Sequence, residues 1–140
     1  MKFTAFFLAG LFLSLLSIQA QDDNTGHRFL YPEDFLNNYR LEVFAIIIDA
    51  REVKEYKKSR IEGAVNIENM KALEGFADTL DLEMPLYIYC GFEYRSITVA
   101  DYLKSREFKN IYILQGGIGE WKAVGLPLDK KKRRRKEKVE

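Results

Sequence analysis

The sequence has one cysteine, one histidine and three prolines among its 140 residues. A single thiol, Cys90, excludes an intrachain disulfide framework, and with His27 as the sole imidazole there are too few soft ligands for a zinc or copper centre. The chain is also too short for two ordinary domains and shows no internal repeat. A formal net charge of +1 argues against a strongly acidic or basic partner when read as a single number, but the charge is unevenly spread. Lys130 to Glu140 carry a net +6, so the first 129 residues carry −5. What is plentiful is apolar material, 47% of residues with 14% aromatic, which is enough for one buried core. Any chemistry must rest on few residues.

The one long uncharged stretch lies near the start. Lys2 is followed by Phe3 to Gln21 without a charge, rich in Phe, Leu and Ala and closing on Ser17-Ile18-Gln19-Ala20. A basic start, an apolar run and a small residue at the cut describe a secretory signal over 1–20, cleaved after Ala20. An uncleaved membrane anchor is the alternative, and both readings export the domain to a periplasmic or secreted location. No cysteine stands just after the cut, so attachment through a lipidated cysteine there is not available. Residues 21–28 read as a polar lead-in, 29–129 as the folded domain and 130–140 as a basic, disordered tail.

Within 29–129, strand and helix patterns alternate. Pro32 with Glu33 and Asp34 starts a helix expected to end between Asn37 and Arg40. Phe44 to Ile48, closed by Asp49, reads as a strand covered on both faces. Glu52 to Ser59 gives one or two helical turns, Ala64 to Ile67 a short strand, and Asn69 to Leu80 a helix. Leu86 to Tyr89 and Asn110 to Leu114 are further strands, separated by a helix starting near Ser96. A last helical turn or two covers Gly119 to Val124, with Trp121 read as core. This order defines an α/β domain around a mostly parallel sheet.

In such sheets ligands bind beyond the carboxyl ends of strands, at helix N-termini. Cys90 falls there. The turn Cys90-Gly91-Phe92-Glu93-Tyr94-Arg95 can aim successive N–H groups inward and form a positively polarised nest for a thiolate and an anion. A thiol of ordinary pKa, about 8.5, is only a few per cent ionised near pH 7, so a nucleophilic role needs help from its surroundings. A drop of two units corresponds to about 2.7 kcal/mol, within reach of a helix terminus, several amides and Arg95 acting together. Arg95 also offers planar paired donors to an anion. The other reading of Cys90 is a small buried hydrophobe at a strand end.

At this point the sequence resembles the single-domain rhodanese-like sulfurtransferase family. The resemblance is carried by Ile48-Asp49-Ala50-Arg51-Glu52, Glu55-Tyr56, Ile61 to Ile67, Tyr89-Cys90 with Arg95-Ser96, Gln115 to Ile118, Trp121 and Gly125-Leu126-Pro127, all in the family's order. It implies a rhodanese-like fold with a mostly parallel five-stranded sheet flanked by helices. It further implies transfer of sulfane sulfur, from thiosulfate or a persulfide or polysulfide donor to a thiol or cyanide, through a persulfide on Cys90. Gly91, Phe92, Glu93, Tyr94, Arg95 and Ser96 would bind the substrate anion, and no metal or organic cofactor is implied. Asp49, Arg51 and Glu55 would support the site structurally, with Arg51 paired to Glu55. Gly116 and Gly117 would allow another loop to approach the mouth. Four residues stand between cysteine and arginine, where phosphate-handling relatives have five, which favours sulfur over phosphoryl transfer.

Two positions depart from the family pattern. Glu93 replaces a common glycine and is expected to repel a dianion such as thiosulfate. Arg60 stands where relatives usually have histidine. Phe92 and Tyr94 make the rim aromatic, suiting a larger thiol or a protein thiol partner, or else cover a hydrophobic neighbour. A binding module without useful catalysis and a redox thiol remain as alternatives to the transferase. In an exported protein the basic run Lys130 to Lys136 points to an anionic membrane surface rather than nucleic acid, its bland reading being a solvated tail. His27 receives no role.

Overall fold

The computed structural model describes residues 27–130. The expected signal over 1–20, the first part of the lead-in at 21–26 and the basic run at 131–140 lie outside the described residues. The elements in chain order are β1 (Arg28–Leu30), α1 (Pro32–Leu41), β2 (Ile46–Asp49), α2 (Val53–Lys58), β3 (Ser59–Arg60) and β4 (Val65–Asn66). They are followed by α3 (Met70–Ala77), β5 (Leu86–Tyr89), α4 (Tyr94–Ser105), β6 (Ile111–Leu114), α5 (Gly117–Ala123) and β7 (Asp129–Lys130).

β1, β6, β5, β2 and β4 form one sheet in that spatial order, with every neighbouring pair parallel. Alternation along the three central strands sorts the core into two layers. Ile48, Ile88 and Ile113 face Leu73, Val99, Ala100 and Leu103 of α3 and α4. Ile47, Tyr87, Tyr89 and Leu114 face Phe35, Ile118 and Trp121 of α1 and α5. Being covered on both sides, β2, β5 and β6 are almost wholly apolar. Trp121 is fully buried, as expected of a core residue, and its indole N–H donates to the Pro127 carbonyl at 3.0 Å.

Several boundaries differ from those read in the sequence. The folded chain starts before residue 29: His27 is buried with its ring against Asp101 of α4, and Arg28 opens β1. A three-residue edge strand carries no periodic signal of its own and exists through pairing with β6. At the other end Lys130 belongs to the fold rather than to the tail, because β7 pairs antiparallel with β3. Arg60 in that ladder pairs with Asp129 and stacks on the Tyr56 ring at 4.8 Å. Phe44, expected in the first central strand, is 75% exposed in the bend before β2, along with exposed Val43. The apolar run starts before the sheet does. α4 starts at Tyr94 rather than near Ser96, so Tyr94 and Arg95 belong to its first turn.

Candidate active site

β5 is the middle strand of the sheet, and its four residues are fully buried. The chain leaves it at Cys90, which is 2% exposed, bends through Gly91, Phe92 and Glu93, and enters α4 at Tyr94. This brings Cys90 to Ser96 together between a strand's carboxyl end and a helix N-terminus.

The loop is held from the side of α5. The Ile118 N–H donates to the Cys90 carbonyl at 2.9 Å, and the Gly119 N–H to the Gly91 carbonyl at 3.2 Å. A trans peptide sets its N–H opposite its C=O, so the amides of Gly91 and Phe92 point away from α5. Tyr94, Arg95 and Ser96 then contribute the free amides of a helix's first turn. None of the N–H groups from Gly91 to Ser96 donates to an acceptor among the described residues. The Ser96 hydroxyl is buried without a partner among them.

Gly117 permits this closeness. A Cβ there would lie 2.1 Å from the Phe92 carbonyl oxygen and 2.7 Å from that of Cys90, and its φ is +60°. Gly116, at φ +71°, caps α5 in the left-handed region, and its N–H donates to Glu93 Oε1 at 2.6 Å. Glu93 therefore ties the loop to the turn after β6 and has its carboxylate held at the start of α5. Phe92 and Tyr94 on either side of it are 79% and 83% exposed.

Behind the loop lies a buried polar cluster. Arg51 grips Asp49 with two nitrogens, Nε to Oδ1 at 2.9 Å and Nη2 to Oδ2 at 2.6 Å, and Nη2 also donates to the Ser59 carbonyl. The Tyr89 hydroxyl donates to Asp49 Oδ2 at 2.6 Å and accepts from the Ile61 N–H at 3.1 Å. Burial pushes the Tyr89 phenol well above its usual pKa, and the Asp49 charge pushes the same way. Burial works against the Arg51 charge, and the Asp49 carboxylate outweighs it. The expected Arg51 to Glu55 pair is not formed. Asp49 lies two residues before Arg51 and satisfies its fork, while Glu55 accepts from the Glu52 N–H as a helix cap and lies 3.4 Å from Arg95.

The sequence reading missed the Glu93 latch and the part of Tyr89 in the Asp49 and Arg51 cluster. Alternation does place Tyr87 and Tyr89 on one face of β5, but nothing in the pattern names the partner of the Tyr89 hydroxyl. Among the described residues no group of three or more His, Cys, Asp or Glu side chains is disposed to hold a metal ion.

A lone cysteine at the end of a central parallel strand, backed by free amides and an arginine, occurs here within one α/β domain. The chain belongs to the rhodanese-like domain family, whose model matches residues 32–124. Among its relatives, the thiosulfate sulfurtransferase GlpE of Actinobacillus succinogenes is 31% identical over 85 residues, 61% of this chain and 76% of that protein. The thiosulfate sulfurtransferase GlpE of Coxiella burnetii is 33% identical over 78 residues, 56% of this chain and 72% of that one. The crystal structure of the Alr3790 protein from Anabaena superposes with a TM-score of 0.65 at 22% identity, covering 72% of this chain and 91% of the other, a likeness of fold.

Proposed function

We propose that the chain is a rhodanese-type sulfurtransferase that carries sulfane sulfur on Cys90. The reading rests on the amides of Gly91 to Ser96, undonated among the described residues, beside a buried thiol at the end of β5. With thiosulfate, the Cys90 thiolate attacks the outer sulfur. A sulfur–sulfur bond to Cys90 forms as the bond to the sulfite group breaks, and sulfite leaves with that bond's electron pair. An acceptor thiolate then attacks the outer sulfur of the Cys90 persulfide and restores the Cys90 thiolate. Preorganised amides stabilise the negative charge as it moves, and Arg95 adds a planar donor pair. Relatives named thiosulfate sulfurtransferases support the class of reaction. Incubation with sulfane donors followed by mass spectrometry tests it: one added sulfur on Cys90, discharged by cyanide or a thiol. A chain that gains no sulfur from any donor, or whose adduct no thiol or cyanide removes, contradicts it.

In the same proposal the domain works after export, in a periplasmic or secreted location, with residues 1–20, Lys2 and the apolar stretch to Ala20, as its signal. The basic run starting at Lys130 contacts an anionic membrane surface. Lys130, Lys58 and Lys122 line one cavity of about 540 Å³ over Leu126 and Leu128, which extends the positive charge of the run onto the folded surface. Binding of the full chain to phosphatidylglycerol vesicles that weakens with salt supports this contact, and salt-independent or absent binding contradicts it.

A further inference from the structure

The charges at the mouth do not suit a dianion. The Glu93 carboxylate is fixed three residues beyond the nucleophile by the Gly116 N–H. Glu120 lies over the same turn, its Oε2 3.7 Å from where a Gly116 Cβ would be. The cation of the loop, Arg95, is drawn toward Glu55 Oε2 at 3.4 and 3.5 Å. Three carboxylates, Glu93, Glu120 and Glu55, thus stand at the loop and the turn it is tied to, against the one guanidinium of Arg95, within a chain whose first 129 residues carry −5. Solvent and salt weaken that field without changing its sign.

The uncharged part of the mouth is aromatic. Phe92 and Tyr94 flank Glu93 and stand in solvent. The Phe92 ring lies beside α5, with Cε1 and Cδ1 3.7 and 3.9 Å from a Cβ position on Gly119. Exposed rings at a mouth gain by covering an apolar group brought to them. They offer a sulfite group nothing.

Building on the sulfur-transfer reading above, we propose that Glu93, Phe92 and Tyr94 are specificity-determining residues that direct the site to persulfides, R–S–SH, carried on an apolar group R, in preference to thiosulfate. The Cys90 thiolate attacks the terminal sulfur, forming Cys90–S–SH as the bond between the two donor sulfurs breaks. The leaving group is R–S⁻, which takes the electron pair of that bond. A neutral donor enters, the negative charge of the Cys90 thiolate leaves on R–S⁻, and no dianion passes the carboxylates. The R group rests against Phe92 and Tyr94. Glu93 serves in both respects, because the bond that holds the loop to Gly116 also keeps its charge in place.

The test measures second-order rates of sulfur loading onto Cys90 from benzyl persulfide, cysteine persulfide and thiosulfate, for wild type, Glu93→Gln and Phe92→Ala/Tyr94→Ala. Comparing variant with wild type cancels the donors' intrinsic reactivities. Glu93→Gln keeps an acceptor for the Gly116 N–H and removes the charge, so the ratio of thiosulfate to benzyl persulfide loading rises about tenfold. In the double variant the ratio of benzyl to cysteine persulfide loading falls several-fold. An unmoved thiosulfate ratio in Glu93→Gln, or an unmoved benzyl ratio in the double variant, overturns the proposal while leaving sulfur transfer intact. Absence of loading from every donor overturns sulfur transfer itself, a separate outcome.

Discussion

Asp49 and Arg51 show how much one residue can hold. Both are buried, and two guanidinium nitrogens and the backbone N–H of Arg51 all donate to the Asp49 carboxylate. Asp49→Ala would leave the guanidinium buried without its carboxylate, and the expected cost is about 3 to 5 kcal/mol in urea unfolding. Tyr89→Phe would strip Asp49 of a donor and the Ile61 amide of its acceptor, for about 1 to 3 kcal/mol. Tyr89 also sets an alkaline limit. Its folded pKa is raised, so the folded state holds this proton more tightly than the unfolded chain. The stabilisation is fully present below the ordinary tyrosine pKa, about 10, and is lost as pH rises beyond it. Urea midpoints measured up the alkaline limb should fall in wild type and fall less steeply in Tyr89→Phe. Equal slopes would mean that Tyr89 is not the group responsible.

At the scale of elements, the active loop is shaped by its neighbour α5. Gly117 and Gly125 both have positive φ, but only Gly117 has other backbone where a side chain would go. Gly125→Ala should cost only the left-handed penalty, about 1 to 2 kcal/mol. Gly117→Ala should cost more and slow loading of Cys90, because the Phe92 and Cys90 carbonyls must move; chemical unfolding beside a loading assay separates the two effects. This division also explains what could be read from the sequence. β2, β5 and β6 are legible because strands buried on both faces need unbroken apolar runs, although Phe44 shows that such a run can outlast the sheet. β1, β3 and β7 have two or three residues each and are defined by their partners. The loop from Cys90 to Ser96 was legible as a motif. The carboxylate that anchors it was not, since the Glu93 to Gly116 bond joins residues far apart in sequence whose meeting depends on the fold.

Over the whole molecule the small net charge conceals two parts of opposite sign, an acidic body and a basic end. The body's charge disfavours anions in general, so the anion stabilisation proposed at Cys90 would be local and made from backbone amides rather than from long-range attraction. Ending the chain at Lys130 should therefore leave sulfur loading from small donors near the wild-type rate, while salt-sensitive binding to anionic vesicles should drop by about tenfold or more. Unchanged vesicle binding would assign that contact to the body instead. The central claim is that Cys90 carries the transferred sulfur, and mass spectrometry of the intact chain after exposure to a persulfide tests it most directly. One added sulfur on Cys90, absent in Cys90→Ser and removed by a thiol, is the predicted result. No adduct in the wild-type chain with a persulfide or with thiosulfate would contradict it.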